Sequence, residues 1–144
     1  MSQANIEVVQ RLAERINAGD IDGMLHLISP EIEYWTREDE PDAGVFRGHK
    51  EFAEFANSWL SAFDEYEVEV YEYIDADDYV VVPGRARGRG RNSGATVDAH
   101  ETWVWRIRDG KAVECREYAD KAQALEAVGL SESASDRQDA PDTG

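Results

Sequence analysis

The chain has 144 residues, which is the size of a single domain. It carries 15 basic and 31 acidic side chains, a formal net charge of −16 that repels phosphate groups, so we expect binding neither to nucleic acid nor to an anionic membrane. With 42% hydrophobic and 10% aromatic residues the chain can build a core, which excludes a fully disordered protein.

The cysteine content and the apolar runs of the sequence indicate the cellular compartment in which the protein is expected. The single cysteine, Cys115, excludes an intramolecular disulfide and is typical of a reducing compartment. Residues 1–5 lack the basic flank and apolar run of a signal peptide, and no apolar stretch approaches the length that crosses a bilayer. We therefore expect a soluble, cytoplasmic protein.

Two short helices are predicted at the start of the chain. An apolar stripe at helical spacing indicates the first, and it consists of Val9, Leu12, Ala13 and Ile16. Gly19 can take the left-handed conformation that ends a helix. Asp20 is a natural N-cap for a second helix over 21–28, which Pro30 closes.

A strand, a loop and a third helix follow. The strand is predicted over 31–36, and the acidic stretch 37–48 is predicted to be a loop that can act as a lid. The helix over 49–63 has a largely aromatic stripe that is expected to pack on a sheet. Its members are Phe52, Phe55, Ala56, Trp59 and Phe63.

The second half of the chain is predicted to form four strands and a helix. The strands cover 66–74, 79–91, 97–108 and 111–118. Asp109 and Gly110 between the last two are a strong two-residue hairpin signal. Asp120 then caps a closing helix that ends at Gly129.

This order of elements predicts one ordered domain over residues 3–130. Hairpin-linked strands imply a mostly antiparallel sheet with the helices gathered on one side, an α+β fold. Residues 131–144 contain no Val, Ile, Leu, Met or aromatic residue and have four acidic side chains against one arginine, a net charge of −3. They are predicted to be a disordered acidic tail.

Four local motifs in this order resemble the nuclear transport factor 2-like superfamily, and within it the SnoaL-like branch. They are Asn-Ala-Gly-Asp-Ile-Asp at 17–22, Phe-Arg-Gly-His at 46–49, the hairpin 104–111 running to Glu-Tyr-Ala-Asp at 117–120, and Ala-Leu-Glu-Ala-Val-Gly-Leu at 124–130. The likeness covers residues 3–130 and implies a cone-shaped α+β roll, in which a curved sheet wraps on helices around a pocket. Members include ketosteroid isomerases, polyketide cyclases, dehydratases and epoxide hydrolases, so the fold leaves the function open.

Strand alternation, aligned by this resemblance, divides the sheet into two faces. The inner, pocket-facing set is Tyr34, Thr36, Gly84, Ala86, Gly88, Gly90, Ala99, Glu101, Trp103, Trp105, Ile107, Val113, Cys115 and Glu117. Its small residues either leave space for a ligand or let a helix approach closely. Trp59 and Trp103 either contact a flat, hydrophobic ligand or fill the core, and core filling is the role assigned to Trp105 and Phe55.

Four arginines recur at every second residue on the outer face. They are Arg85, Arg87, Arg89 and Arg91. The stripe is either an anion-binding surface or a polar sheet face, and the second is favoured because acids such as Asp98 are available as partners. Since relatives commonly dimerise through this face, we expect a homodimer that uses these arginines and His100.

Acid–base chemistry needs a carboxylate or a histidine in a partly apolar site. The candidates are Glu101, Glu117, Asp120, Tyr34 and Cys115. If Glu101 and Glu117 both point inward from their adjacent strands, one of them could hold a proton near neutral pH. The alternative, a solvated place at the mouth, is favoured for Glu117, whereas the functional role is favoured for Glu101.

Asp120 also has two interpretations. It is an N-cap by position, and the resemblance to SnoaL-like cyclases implies an acid/base role together with a histidine where this chain has Cys115. The tyrosine, general-base aspartate and oxyanion-hole aspartate of ketosteroid isomerases correspond here to Leu12, Thr36 and Trp103. These departures from the family patterns disfavour both reactions.

The three histidines are scattered and are not expected to form a site. His26 is expected at the surface, His49 at a helix start near the pocket mouth, and His100 on the outer sheet face. The spacing of His, Cys and Asp predicts no metal site, and the glycines at 84–90 lie within a strand rather than in a phosphate-binding loop. We therefore expect neither a metal nor a cofactor.

The sequence is compatible with two functions. One is cofactor-independent proton transfer of isomerase, cyclase or dehydratase type on a neutral or weakly polar ring-bearing substrate, with Glu101 and Asp120 as catalytic groups helped by Tyr34. The other is ligand binding without chemistry in the same hydrophobic pocket. In both cases the expected substrate-binding residues are Trp59, Trp103, Thr36, Cys115 and Glu117. Glu101 and Asp120 facing one cavity would favour the enzyme, whereas an Asp120 that only caps and a Glu101 paired with an arginine would favour binding.

Overall fold

A computed structural model of the chain describes residues 2–39 and 43–130. Its elements are α1 (Ser2–Ala18), α2 (Ile21–His26), β1 (Ile28–Trp35), β2 (Val45–Arg47), α3 (Gly48–Ser61), β3 (Glu67–Val70), β4 (Ile74–Ala76), β5 (Tyr79–Arg89), β6 (Thr96–Arg108), β7 (Lys111–Tyr118) and α4 (Lys121–Ala127). The predicted acidic tail 131–144 and positions 40–42 of the predicted loop lie outside the described residues. Among the described helices, none has the length and apolarity to cross a membrane.

The seven strands form one sheet in the order β2-β1-β7-β6-β5-β3, and β4 also pairs with β5. Only the β1–β7 pairing is parallel among the described strands, so the mostly antiparallel α+β prediction is confirmed. The main core lies between the inner sheet face and α1, α2 and α3. Its fully buried side chains include Leu12, Ile28, Ile32, Phe52 and Val80.

Helix α4 lies on the opposite face, which corrects the prediction that all helices gather on one side. Its buried residues Ala124 and Leu125 pack with Ile74, Val81 and Val104 in a second, smaller core. The last two are outward-facing neighbours in the β5–β6 register, one residue away from inner-face positions. Apolar residues on the outer face of these strands therefore bind α4 there.

The turn signals of the sequence are confirmed. Gly19 has φ +68°, and Asp109 and Gly110 have φ +52° and +78°, as a two-residue hairpin turn requires. The Asp20 carboxylate accepts a hydrogen bond from the Gly23 amide at 2.9 Å and caps α2. Gly129 has φ +82°, just past the end of α4.

The structure differs from the prediction in the bounds of three elements. The second helix ends at His26, and Pro30 lies inside β1, at an irregularity in its pairing with β7 where the missing amide is tolerated. A short strand, β2, forms within the predicted loop 37–48. The predicted strand 66–74 is divided into β3 and β4 opposite Pro83, which has no amide to donate to the ladder.

A β-bulge changes one inner-face assignment. Ile107 pairs with Ala112 and Arg106 pairs with Glu114, so Val113 is the extra residue of β7. Ala112 consequently takes the fully buried inner position that was predicted for Val113. Beyond the bulge the register returns to the predicted one, and Cys115 is opposite Trp105.

The small residues of β5 serve close packing. A Cβ on Gly84 would meet the backbone carbonyl oxygen of Glu69, and one on Gly88 would lie 3.1 Å from the Phe63 ring and 3.2 Å from the Tyr66 ring. Of the two sequence-based alternatives, close approach therefore applies, although the approaching groups belong to β3 and to the segment after α3 rather than to a helix.

The outer face carries arginines paired with acids, as the favoured interpretation requires. Arg85 binds Asp98 through two hydrogen bonds of 2.6 and 2.7 Å and thereby lowers the pKa of Asp98. Arg87 lies 2.8 Å from Glu67 and 3.7 Å from Glu69. These exposed pairs neutralise the stripe locally and contribute little to stability.

Candidate ligand-binding cavity

A cavity of about 500 Å³ lies between α1, α3 and the inner face of the sheet. Most of its wall is apolar, and much of that is aromatic. Its aromatic lining consists of Tyr34, Phe46, Phe52, Phe55, Trp59, Tyr66, Trp103 and Trp105. Trp105 and Phe55, which were assigned to core filling, thus also face the cavity. Trp59 and Trp103, the two predicted ligand contacts, line it as well.

The three positions that correspond to the ketosteroid isomerase groups all line this cavity. They are Leu12, Thr36 and Trp103. At these positions the chain has an aliphatic side chain, a hydroxyl and an indole, so the isomerase set of a tyrosine and two aspartates is not assembled there.

Polar groups of the wall converge where β1, β7 and β6 run side by side. Tyr34 is opposite Cys115 in the parallel pairing, and Trp103 is opposite Glu117 in the antiparallel one. Alternation then directs Tyr34, Glu117 and Glu101 to the inner face. All three line the cavity, as does the neighbouring Thr36.

The Tyr34 hydroxyl donates a hydrogen bond to Oε2 of Glu117. The Tyr34 side chain is buried against the rings of Phe52, Phe55 and Trp105. Burial raises the pKa of Tyr34 well above its usual value of 10.0, and the Glu117 carboxylate raises it further. Tyr34 therefore keeps its hydroxyl hydrogen at neutral pH.

Glu101 lies near an arginine that the sequence did not indicate. Its Oε1 atom is 3.6 Å from Nη1 of Arg37, and the two side chains are 16% and 22% exposed. Arg37 also donates two hydrogen bonds to the Asp39 carboxylate, at 2.9 and 2.6 Å. Arg37 lies in the loop after β1, where no periodicity predicts which long-range partner it contacts.

Two predicted site residues are not brought to the cavity. Asp120 is exposed, and its carboxylate accepts a hydrogen bond from the backbone amide of Gln123 at 2.9 Å, which caps α4. Asp120 does not line the aromatic cavity. Cys115 is fully buried and is flanked on neighbouring strands by Tyr34 and Trp105, whose side chains form the wall in its place.

Trp59 and Tyr66 line the cavity and form an aromatic cluster with Phe63. The Trp59 ring centroid lies 5.0 Å from that of Phe63 and 5.9 Å from that of Tyr66. Trp59 is 40% exposed, so it stands at the rim. Burial raises the pKa of Tyr66 to about 12. Tyr66 was not among the predicted site residues, although its place at the start of an aromatic-rich predicted strand was an available signal.

None of the three histidines lines the cavity described above. Instead, they form hydrogen bonds elsewhere in the fold. His49 donates from Nε2 to the carbonyl oxygen of Ile28 at 2.7 Å. Nδ1 of His100 and the hydroxyl of Tyr71 share a hydrogen bond of 2.9 Å on the outer face. Within residues 2–39 and 43–130, no three His, Cys, Asp or Glu side chains are grouped so as to hold a metal ion.

The family follows from a direct comparison of sequence. The model of the SnoaL-like domain matches residues 9–115. The chain belongs to the SnoaL-like domain family, within the nuclear transport factor 2-like superfamily. Comparison with curated proteins gave no match.

Solved structures give the same fold. A nuclear transport factor 2-like protein from Burkholderia thailandensis E264 is 26% identical, with a TM-score of 0.71 over 85% of this chain and 95% of that chain. TerC, co-crystallised with polyporic acid, is 25% identical, with a TM-score of 0.71 over 87% and 98% of the two chains. A SnoaL-like polyketide cyclase (assigned provisionally) from Jannaschia sp. CCS1 is 21% identical, with a TM-score of 0.73 over 88% and 92%. The predicted α+β fold, a curved sheet packed on helices, is thereby confirmed.

Proposed function

We propose that this SnoaL-like protein binds a neutral, ring-bearing small molecule in the cavity between α1, α3 and the sheet. The observation that carries the proposal is a cavity of about 500 Å³ with an apolar, aromatic wall and a few convergent polar groups. The relative TerC, which has been co-crystallised with polyporic acid, supports an organic ligand for this fold.

Titration with β-naphthol, followed by its fluorescence, tests this proposal. Ala56 lies on α3 in the cavity wall, so Ala56→Phe fills the space and is expected to weaken binding at least about tenfold. Ala127→Phe introduces the same side chain at an exposed site of α4 and is expected to leave the affinity unchanged. Equal affinities of the two variants, with both folded by circular dichroism, would contradict binding in this cavity.

A second candidate function is proton transfer without a cofactor, and one observation favours it. The Tyr34–Glu117 hydrogen bond and the Glu101 carboxyl group share the polar end of an otherwise apolar wall. Catalytic acids and bases need such surroundings. Asp120 has no part in this arrangement beyond capping α4, and Glu101 pairs with Arg37, and these two contacts favour ligand binding over proton transfer.

The proposed step is abstraction of a proton next to a ring carbonyl. Glu101 accepts the proton from carbon, while Tyr34 turns its hydroxyl hydrogen from Glu117 to the enolate oxygen that develops. The raised pKa of Tyr34 keeps that hydrogen in place. Return of the proton from Glu101 to a different carbon completes an isomerisation in which no atom or electron is gained or lost.

Deuterium exchange at the acidic carbon of β-tetralone, followed by NMR, tests this step without knowledge of the natural substrate. Glu101→Gln and Tyr34→Phe are each expected to slow exchange about a hundredfold or more. Asp120→Asn is the matched control and is expected to exchange at the unaltered rate, because asparagine also caps helices. If the unaltered protein exchanges no faster than buffer, while β-naphthol still binds, the function is ligand binding alone.

We also propose a homodimer through the outer sheet face, which contains Arg85, Arg87, Arg89 and His100, with Arg91 just beyond β5. Alternating guanidinium and carboxylate groups on this face suit contact with a symmetry-related copy of the same surface. The exposed Tyr71, hydrogen-bonded to His100, adds an aromatic group to the patch.

A further inference from the structure

A second cavity of about 360 Å³ lies beside the first, at the carboxyl ends of β1 and β7. Thr36 and Glu117 line both cavities. Thr36 directly follows β1 and Glu117 lies near the end of β7, each one residue beyond the parallel pair Trp35–Arg116. The two cavities therefore meet at these two side chains, beside the hydroxyl of Tyr34.

The lining of the second cavity differs in chemistry from that of the first. It contains two guanidinium groups, from Arg37 and Arg116, and three carboxyl groups, from Glu38, Asp39 and Glu117. Hydroxyl and amide groups come from Thr36, Tyr118 and Gln123. One cavity thus presents apolar rings, and the adjoining one presents hydrogen-bonding groups.

Each of the two arginines of the second cavity is paired with a carboxylate. Arg37 holds Asp39 by two hydrogen bonds. Arg116 donates from Nε to Glu114 at 3.2 Å, and its guanidinium lies 4.3 Å from the Trp35 ring centroid. A charged substituent would meet like and opposite charges together. A neutral group that both donates and accepts hydrogen bonds suits such a lining better.

We propose that the ligand site continues past Thr36 and Glu117, and that the second cavity binds a neutral, hydroxyl-rich substituent, of the kind a sugar provides, carried by the ring system in the first cavity. This inference rests on the proposed function and specifies its substrate class: an aromatic compound with a polyhydroxylated arm. The arm leaves the ring system beside Tyr34 and Glu117, so it also orients the ring against the polar end of the first cavity.

Three fluorescent probes with one ring system test the inference. They are β-naphthol, β-naphthyl glucoside and β-naphthyl sulfate. The glucoside is expected to bind at least about tenfold more tightly than β-naphthol, and the sulfate no more tightly than β-naphthol. A glucoside that binds no better than β-naphthol overturns the second subsite. A sulfate that binds best overturns the neutral class of substituent.

Variants locate the gain in affinity. Ala119→Phe and Gln123→Trp each place a large side chain at the second cavity, and each is expected to remove the advantage of the glucoside while leaving β-naphthol affinity unaltered. Gln123 is exposed on α4, so its replacement keeps the test valid if Ala119→Phe fails to fold. Ala127→Trp, exposed on the same helix, is the matched control.

The outcomes separate the two proposals. Binding of β-naphthol with a glucoside advantage that survives both cavity variants overturns the second subsite and leaves the proposed function intact. Failure of β-naphthol to bind the unaltered protein overturns the proposed function, and the second subsite with it.

Discussion

The Tyr34 hydroxyl donates a hydrogen bond to Glu117 across two neighbouring parallel strands, at the end of a cavity whose walls are otherwise mainly apolar. Glu117, for which a place at the solvated mouth was favoured, is half-buried and accepts this hydrogen bond from a buried phenol. The inner face of β1 and β7 therefore supplies the polar end of the site.

The ionisation of Tyr34 and Tyr66 should be suppressed in the folded protein. Burial raises both pKa values, that of Tyr66 to about 12, from the usual value of 10.0. At a pH of about 11, Tyr34→Phe and Tyr66→Phe are expected to lower the tyrosinate absorbance of the unfolded protein but not that of the native protein. A loss of native absorbance in either variant would contradict the burial of that phenol.

The same shift predicts lower stability in alkali. Since the folded pKa of Tyr66 exceeds the unfolded one, its contribution to stability is fully present below pH 10.0 and is lost as the pH rises from there through about 12. Denaturant unfolding across that range should show a decline that is shallower in Tyr66→Phe. An equal slope in the variant and the unaltered protein would mean that Tyr66 is not protonated preferentially in the fold.

Asn17 is expected to stabilise the open edge of the sheet. Its side-chain amide donates to the Val68 carbonyl at 3.0 Å, and its oxygen accepts from the Val68 amide at 2.8 Å, so it completes the pairing of edge strand β3. Asn17→Ala should lower the free energy of unfolding by about 2 kcal/mol. Asn5→Ala, which removes one exposed hydrogen bond from the same helix, should change it by less than about 0.5 kcal/mol.

Local signals in the sequence were sufficient for much of the fold. Gly19 and the pair Asp109-Gly110 adopt the left-handed conformations that their types favour, and these turns determine where α1 ends and how β6 joins β7. Alternation along β6 then placed Glu101 and Trp103 on the inner wall correctly. Such features depend on neighbours within a few residues, which a single sequence contains.

Features that depend on distant partners could not be predicted. The Arg37–Glu101 contact joins a loop to a strand 64 positions further on. The face chosen by α4 depends on Val81 and Val104, whose apolar side chains could equally belong to an interface. The same helix determines the role of Asp120, which caps α4 and does not line the aromatic cavity.

Asp120 should therefore matter for stability and not for binding in the aromatic cavity. Asp120→Ala removes the acceptor for the Gln123 amide and is expected to cost about 1 kcal/mol of unfolding free energy, whereas Asp120→Asn should cost little. Neither variant should change β-naphthol affinity. A weaker affinity of Asp120→Asn for β-naphthol, with unchanged stability, would instead show that this residue contributes to ligand binding.

Gly84 is expected to resist substitution by alanine. A Cβ at this position would meet the carbonyl oxygen of Glu69, a backbone atom that moves only if β3 moves with it. Gly84→Ala should lower the free energy of unfolding by about 2 kcal/mol or more. Gly94→Ala is an informative comparison, because φ +70° there gives backbone strain without any steric contact. A Gly84→Ala protein as stable as the unaltered one would show that β3 is free to shift.

The proposed dimer should dissociate when charge is added to the outer face. The unaltered protein is expected to have the mass of a dimer by light scattering at micromolar concentration. His100→Glu introduces an acid next to Tyr71 and Asp98 on that face, and in a symmetric interface the change acts twice, so the variant should be monomeric. His26→Glu makes the same substitution at an exposed position of α2, on the other side of the sheet, and should leave the dimer intact. A monomeric unaltered protein would refute the interface, and a dimeric His100→Glu would place it elsewhere on the surface.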